Sequence, residues 1–155
     1  MTQNHSDIRT RFIFDDMPIR GMHIRLEKVW HHIVNQKHYP AAIRRALGEL
    51  LAAGALLSAN LKNEGALIVQ VQGQGRLKML VVEATSENTV RATARWDETA
   101  EIRDDESLTA LLGENSVFVL THQPKDADPW QGVVPLEGDS IAQMLVNYMK
   151  RSEQL

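Results

Sequence analysis

Six histidines, several serines, two acidic pairs and one glycine-flanked turn are the residues here whose types could do chemistry. His31 and His32 are adjacent, so on a helix their rings point in different directions. No H-x-x-x-H pair places two imidazoles on one helical turn, and His23 and His38 hold no fixed spacing to them. They read as surface histidines, and no metal site is expected. Ser58, Ser116 and Ser140 lack the Gly-x-Ser-x-Gly elbow of a nucleophile. Asp15-Asp16 and Asp104-Asp105 fall in turn-like stretches and read as solvated acids. Gly73-Gln74-Gly75 lacks the third glycine and following helix of a phosphate loop, so it reads as a hairpin turn. Arg44, Arg45 and Glu49 interrupt an apolar helix, where they either bind a ligand or, as expected, mark its solvent-reaching or ion-paired end. Trp30, Trp96 and Trp130 are either contact anchors or core, with core the expected role. Nothing in this set forms a catalytic constellation, and the chain reads as a non-enzyme.

The elements that would position these residues follow from periodicity. Arg9 to Phe14 reads as a strand with Phe12 and Phe14 on one face, Asp15 to Pro18 as a turn, and Ile19 to Arg25 as a second strand. Leu26, Val29, Trp30, Ile33 and Val34 recur at helical spacing, giving an amphipathic helix over Glu27 to Gln36. Pro40 suits the first turn of the next helix, which is expected to run to about Leu61. That helix is apolar almost all round, so other elements must enclose it. Three strands follow, at Ala66–Gln72, Leu77–Thr85 and Thr89–Trp96, joined by short turns as an antiparallel meander. In the last, Val90, Ala92, Ala94 and Trp96 alternate with Arg91, Thr93 and Arg95, one face dry and one wet.

Beyond an acidic loop at Asp97–Glu106, Leu108, Leu111 and Leu112 suggest a short helix. Strands are expected at Val117–Thr121 and Gln131–Leu136, with a loop at Pro124–Pro129. Ser140 and Gln143 match a capping box opening a last helix, with Ile141, Met144, Leu145, Tyr148 and Met149 on one side. Met1 to Ser6 is polar and read as disordered. The expected fold is α+β, a mostly antiparallel sheet packed with helices around a buried central helix, in a single domain over 1–155.

Composition narrows the partners. The 155 residues are 43% hydrophobic and 24% charged, ordinary for one globular domain. A net charge of −3 gives no basic excess to draw the chain to nucleic acid or anionic lipid. The longest apolar run, Leu50 to Leu57, is far shorter than a membrane span. No secretory signal opens the chain, which makes the cytoplasm the expected location. The absence of cysteine excludes disulfides, thiol nucleophiles and thiolate metal sites within these residues.

Several runs together resemble one family. They are Ile19-Arg20-Gly21, Arg25-Leu26, Tyr39-Pro40 with Arg44-Arg45, and Leu47-Gly48-Glu49-Leu50-Leu51-Ala52-Ala53. Further along come Leu61-Lys62, Gln72 to Gly75, Leu80-Val81-Val82-Glu83-Ala84, Arg91 to Trp96, Gln131 to Ser140, and Ser152-Glu153-Gln154-Leu155. In this order they resemble the 33 kDa chaperonin family, the redox-regulated holdase chaperones of bacteria (heat-shock protein 33 class).

The resemblance implies an ATP-independent chaperone that holds unfolding proteins under oxidative and heat stress. It also implies a C-terminal domain holding zinc through four cysteine thiolates, released on oxidation, and an activated form that tends to dimerise. This chain has no such cysteines, so no zinc ligand transfers to any position, and it reads as a truncated core domain without cofactor. The expected partners are unfolding client proteins, with a second copy of the chain as a further candidate. Leu80 and Val82 are the expected client-binding residues, because the strand Leu77–Ala84 is apolar on both sides and demands cover on both. Leu77, Met79 and Val81 are expected on one face and Leu80, Val82 and Ala84 on the other. Two other classes stay open. Suppression of aggregation separates a chaperone from a plain interaction or dimerisation module, and a deep polar pocket of titratable groups would favour an enzyme.

Overall fold

A computed structural model describes residues 7–152. The disorder expected for Met1–Ser6, and the end of the Ser152–Leu155 motif, lie outside the described residues. Among those, strands β1 (Ile8–Ile13) and β2 (Arg20–Arg25) form an antiparallel hairpin, a two-stranded sheet of its own. Helices α1 (Lys28–Gln36) and α2 (Ala41–Ser58) follow. Strands β3 (Gly65–Gln72), β4 (Leu77–Thr85) and β5 (Val90–Trp96) make the expected meander. A short helix α3 (Leu108–Leu112) leads to β6 (Val117–Pro124) and β7 (Trp130–Pro135), and α4 (Ile141–Ser152) closes the order. The main sheet runs β5-β4-β3-β6-β7, antiparallel throughout. The fold is α+β.

Alternation along the strands gives the sheet one dry face. Leu67, Val69 and Val71 of β3, Leu80 and Val82 of β4, and Phe118 of β6 form a core with Ile43, Leu47, Leu50 and Leu51 of α2. Helix α2 touches β2, β3, β4, β5, α3 and α4, so it lies between the main sheet and the hairpin. Arg44, Arg45 and Glu49 are its exposed positions, and the Arg45 guanidinium donates to the Asp104 carbonyl at 2.8 Å. Helix α4 adds Ile141, Met144 and Tyr148 to the core, with the Tyr148 ring 5.3 Å from Phe118.

Local chemistry shifts several expected boundaries. Pro40 is the N-cap of α2, extended at φ −53° and ψ 144°, just before the first turn. The helix stops at Ser58 and not near Leu61, because Ala59, Asn60 and Leu61 bond to carbonyls three residues back and tighten the chain into turns. Strand β6 continues to Pro124, because β3 reaches Gly65 and pairs with it along its whole length. A bulge between Leu77 and Met79 breaks the alternation of β4. Leu77 therefore turns inward with Leu80, Val82 and Ala84, while Met79 and Val81 stay half-buried on the opposite face. Half of the capping box forms. Ser140 Oγ accepts from the Gln143 amide at 3.2 Å, but the Gln143 side chain bonds to Asn147 instead of reaching back.

The turn at Gly73-Gln74-Gly75 has a packing role. The amides of Gln74 and Gly75 donate to the Leu112 carbonyl at 2.9 and 2.8 Å, docking the hairpin on the end of α3. A Cβ on Gly75 would collide with the Leu111 carbonyl oxygen, so the close approach requires glycine.

Candidate protein-binding surface

The residues that could have done chemistry have structural partners or face solvent. His23, His31, His32 and His38 are exposed, and His32 Nε2 lies 2.8 Å from the Gln36 side-chain nitrogen. His122 is half-buried on β6, and no histidine joins a metal-ligating group, since no three His, Asp or Glu side chains converge among the described residues. Zinc of the kind the family resemblance implies does not fit this donor set. Ser58 Oγ donates to the Ala55 carbonyl, and the Ser116 carbonyl accepts from the Leu136 amide. Asp97 is the acid whose environment is distinctive. The Thr99 hydroxyl and amide donate to its Oδ1 at 2.6 and 3.0 Å, and these bonds hold the carboxyl below its ordinary range. It sits exposed at a turn.

Leu80 and Val82 lie beneath α2, each with 0% exposure. A client reaches them only if α2 leaves the sheet. The opposite sheet face is mixed. The register sets Thr93, Val81, Gln70, Val119 and Val133 in one row, and Arg91, Glu83, Ile68, Thr121 and Gln131 in the next. Val133 is 56% exposed there, and Trp130, expected in the core, is 54% exposed on the edge strand β7. Trp30 and Trp96 are half-buried against the core, as a core role requires.

Among the described residues, the densest exposed apolar surface lies on the β1–β2 hairpin. Phe12, Ile13, Phe14, Met17 and Ile19 cluster at the tip of the β1–β2 hairpin, with Ile13 75% exposed. A two-stranded ribbon cannot bury both of its faces by itself. The Phe12 and Phe14 rings meet edge to face at 5.9 Å, and Phe12 lies across Gly21, where any Cβ would strike the ring. The tip is closed by the Phe14 amide donating to the Ile19 carbonyl at 3.0 Å.

The base of the hairpin is fastened at two helix ends. Asp7 accepts from the amides of Glu27, Lys28 and Val29 at 2.7, 2.9 and 3.1 Å, so it caps the start of α1 from twenty residues away in sequence. Arg9 and Arg11 donate to the carbonyls of Ala55 and Ala59 at 3.4 and 2.8 Å, where the last turn of α2 leaves acceptors and partial negative charge. Rigid fastening below and apolar side chains above make a presented surface. The signal for it lay in the sequence, as Phe, Ile and Met packed around an Asp-Asp turn.

With the fold, this surface defines an α+β domain whose exposed chemistry is apolar contact. The chain belongs to the Hsp33 protein family, whose model matches residues 7–155. It is 84% identical over 152 residues to a 33 kDa chaperonin of Neisseria meningitidis serogroup A, covering 98% of this chain and 50% of that protein. A 33 kDa chaperonin of Chromobacterium violaceum is 50% identical over 157 residues, covering 100% of this chain and 52% of that protein. The crystal structure of a 33 kDa chaperonin from Thermotoga maritima superposes with a TM-score of 0.83 at 24% identity, over 97% of this chain and 52% of the other, a likeness of fold. The chain thus spans about half the length of the curated relatives it matches.

Proposed function

We propose that this domain holds unfolding polypeptides without ATP, as the client-binding core of a redox-regulated chaperone of the cytoplasm. The observation that carries the reading is the apolar cluster at the hairpin tip, Phe12, Ile13, Phe14, Met17 and Ile19. Folded soluble proteins rarely leave such a patch in water unless something binds it. An unfolding protein offers apolar segments of matching chemistry, and contact hides both surfaces. Membership of a family whose relatives are named chaperonins supports the same reading. Redox control has no cysteine to act through in this chain. Holding by these residues is therefore constitutive, with the same patch serving a second copy of the chain when no client is present.

The test is light scattering from an unrelated, thermally unfolding protein mixed with this chain. Suppression is expected, unchanged by hydrogen peroxide under conditions that leave methionine intact. The combined substitutions Ile13→Ser, Met17→Ser and Ile19→Ser, all at exposed positions, should remove most of it and leave the melting temperature alone. Full suppression by that variant overturns the assignment of the patch. No suppression by the parent chain, diluted to monomer, overturns the holding function itself.

A further inference from the structure

We infer that the groove between the hairpin and the end of α2 is a docking site selective for extended polypeptide carrying acidic residues among apolar ones. The inference rests on the polypeptide-binding reading above and names the kind of segment preferred. The groove has a volume of about 650 Å³. Met22 from β2 and Leu56 and Leu57 from α2 supply its apolar wall. Three cations line it as well, Arg11, Arg20 and Lys62, and no carboxylate does.

Charge sets the preference. The chain as a whole carries −3, so three unneutralised cations on one groove run against its average. Arg11 is engaged with the Ala59 carbonyl, whereas Arg20 and Lys62 make no ion pair or side-chain hydrogen bond among the described residues. A cation left beside apolar wall attracts an anionic partner and discriminates against a cationic one. The pattern also has a register. Arg11 faces Met22 across the hairpin and Ile13 faces Arg20, so cationic and apolar side chains alternate in a chequer. A complementary segment places an apolar and an acidic side chain two residues apart, which is the spacing of one face of an extended strand.

Backbone chemistry favours polypeptide over a small anionic amphiphile. The hairpin is a sheet of two strands, so each strand has only one neighbour and one unpaired edge. Such edges accept an added strand through main-chain hydrogen bonds that an amphiphile cannot make.

Fluorescence anisotropy of labelled nine-residue peptides against the full chain tests this. Three probes share leucine at alternate same-face positions, with aspartate, serine or lysine between them. The aspartate peptide should bind about tenfold tighter than the serine peptide, and the lysine peptide weaker than both. Arg20→Glu with Lys62→Glu, both at exposed positions, should erase the aspartate preference, and circular dichroism melting should show the variant folded. Equal binding of the aspartate and serine peptides, or an aspartate preference surviving in the folded variant, overturns the inference while leaving client holding intact. Suppression of client aggregation without binding of any peptide overturns the groove as a site. Loss of both suppression and peptide binding in the parent chain overturns the holding function and the groove with it.

Discussion

Gly54 and Val82 mark the closest approach of α2 to the sheet: a Cβ on Gly54 would lie 2.7 Å from Val82 Cγ1. Val82 is fully buried and β-branched, so its rotamer has little room to yield. The glycine is therefore a spacing residue, letting the helix settle onto β4 and seal Leu80 and Val82 away from solvent.

Gly54→Ala opposes two effects at this contact. Helix propensity favours alanine by about 1 kcal/mol. Overpacking against Val82 costs about 1–3 kcal/mol. The net expectation is a loss of up to about 2 kcal/mol, seen as a lower denaturant midpoint. In a Val82→Ala background the clash is gone, and the same substitution should raise stability. Equal effects in both backgrounds would show that the two residues do not press on each other.

Leu51→Asp tests the burial of α2. Leu51 is 2% exposed among apolar neighbours, so a carboxylate there is left without a partner. The expected cost is several kcal/mol. Against a typical total of about 5–15 kcal/mol, that unfolds much of the population at room temperature. A melting temperature within a degree or two of the parent is the contrary result.

Arg11→Met removes the guanidinium that bonds to Ala59 and keeps the aliphatic stem. About 1 kcal/mol of local stability should go with that hydrogen bond. Because the bond fastens the hairpin and not the core, amide hydrogen exchange should quicken in β1 and β2 and stay unchanged in β3 and β4. Uniform quickening across both sheets would place Arg11 in the global fold instead.

Asp97 gives a pH prediction with a definite sign. Its carboxyl is held low by hydrogen bonds from Thr99, so the folded state favours the anion. The stabilisation is present above the ordinary carboxylate range and disappears as pH falls through the lowered folded value. Thr99→Val removes the hydroxyl bond at 2.6 Å and should move the NMR titration of Asp97 up towards its ordinary range. An unmoved titration would leave the backbone amides as its cause.

Much of this architecture was legible because local rules and tertiary packing agree. Turn residues bracket Leu77–Thr85, and the strand has those bounds. The apolar stretch from Pro40 to about Leu61 announced an enclosed helix, and Ile43, Leu47, Leu50 and Leu51 of α2 are buried. What alternation alone could not supply was the bulge at Lys78, which carries Leu77 to the face of Leu80 and leaves Met79 on the other. Nor could it supply cover. Phe12 and Phe14 read as same-face residues, but whether a face is wet depends on what packs against it, and nothing among the described residues covers the tip. Leu80 and Val82 belong to a strand apolar on both sides, which alone does not say which side stays open; both are buried beneath α2, while the hairpin tip is exposed.

Photo-crosslinking tests the central claim most directly. A photoreactive side chain is placed singly at Met17 on the hairpin tip, at Val133 on the open sheet face, or at Glu98 in the acidic loop, all exposed positions. Each variant is irradiated with a labelled, thermally unfolding client. Crosslinking at position 17 should exceed that at 133 several-fold and that at 98 by more. Yields that are equal at all three positions, or highest at 133, would contradict the hairpin as the surface that holds unfolding protein.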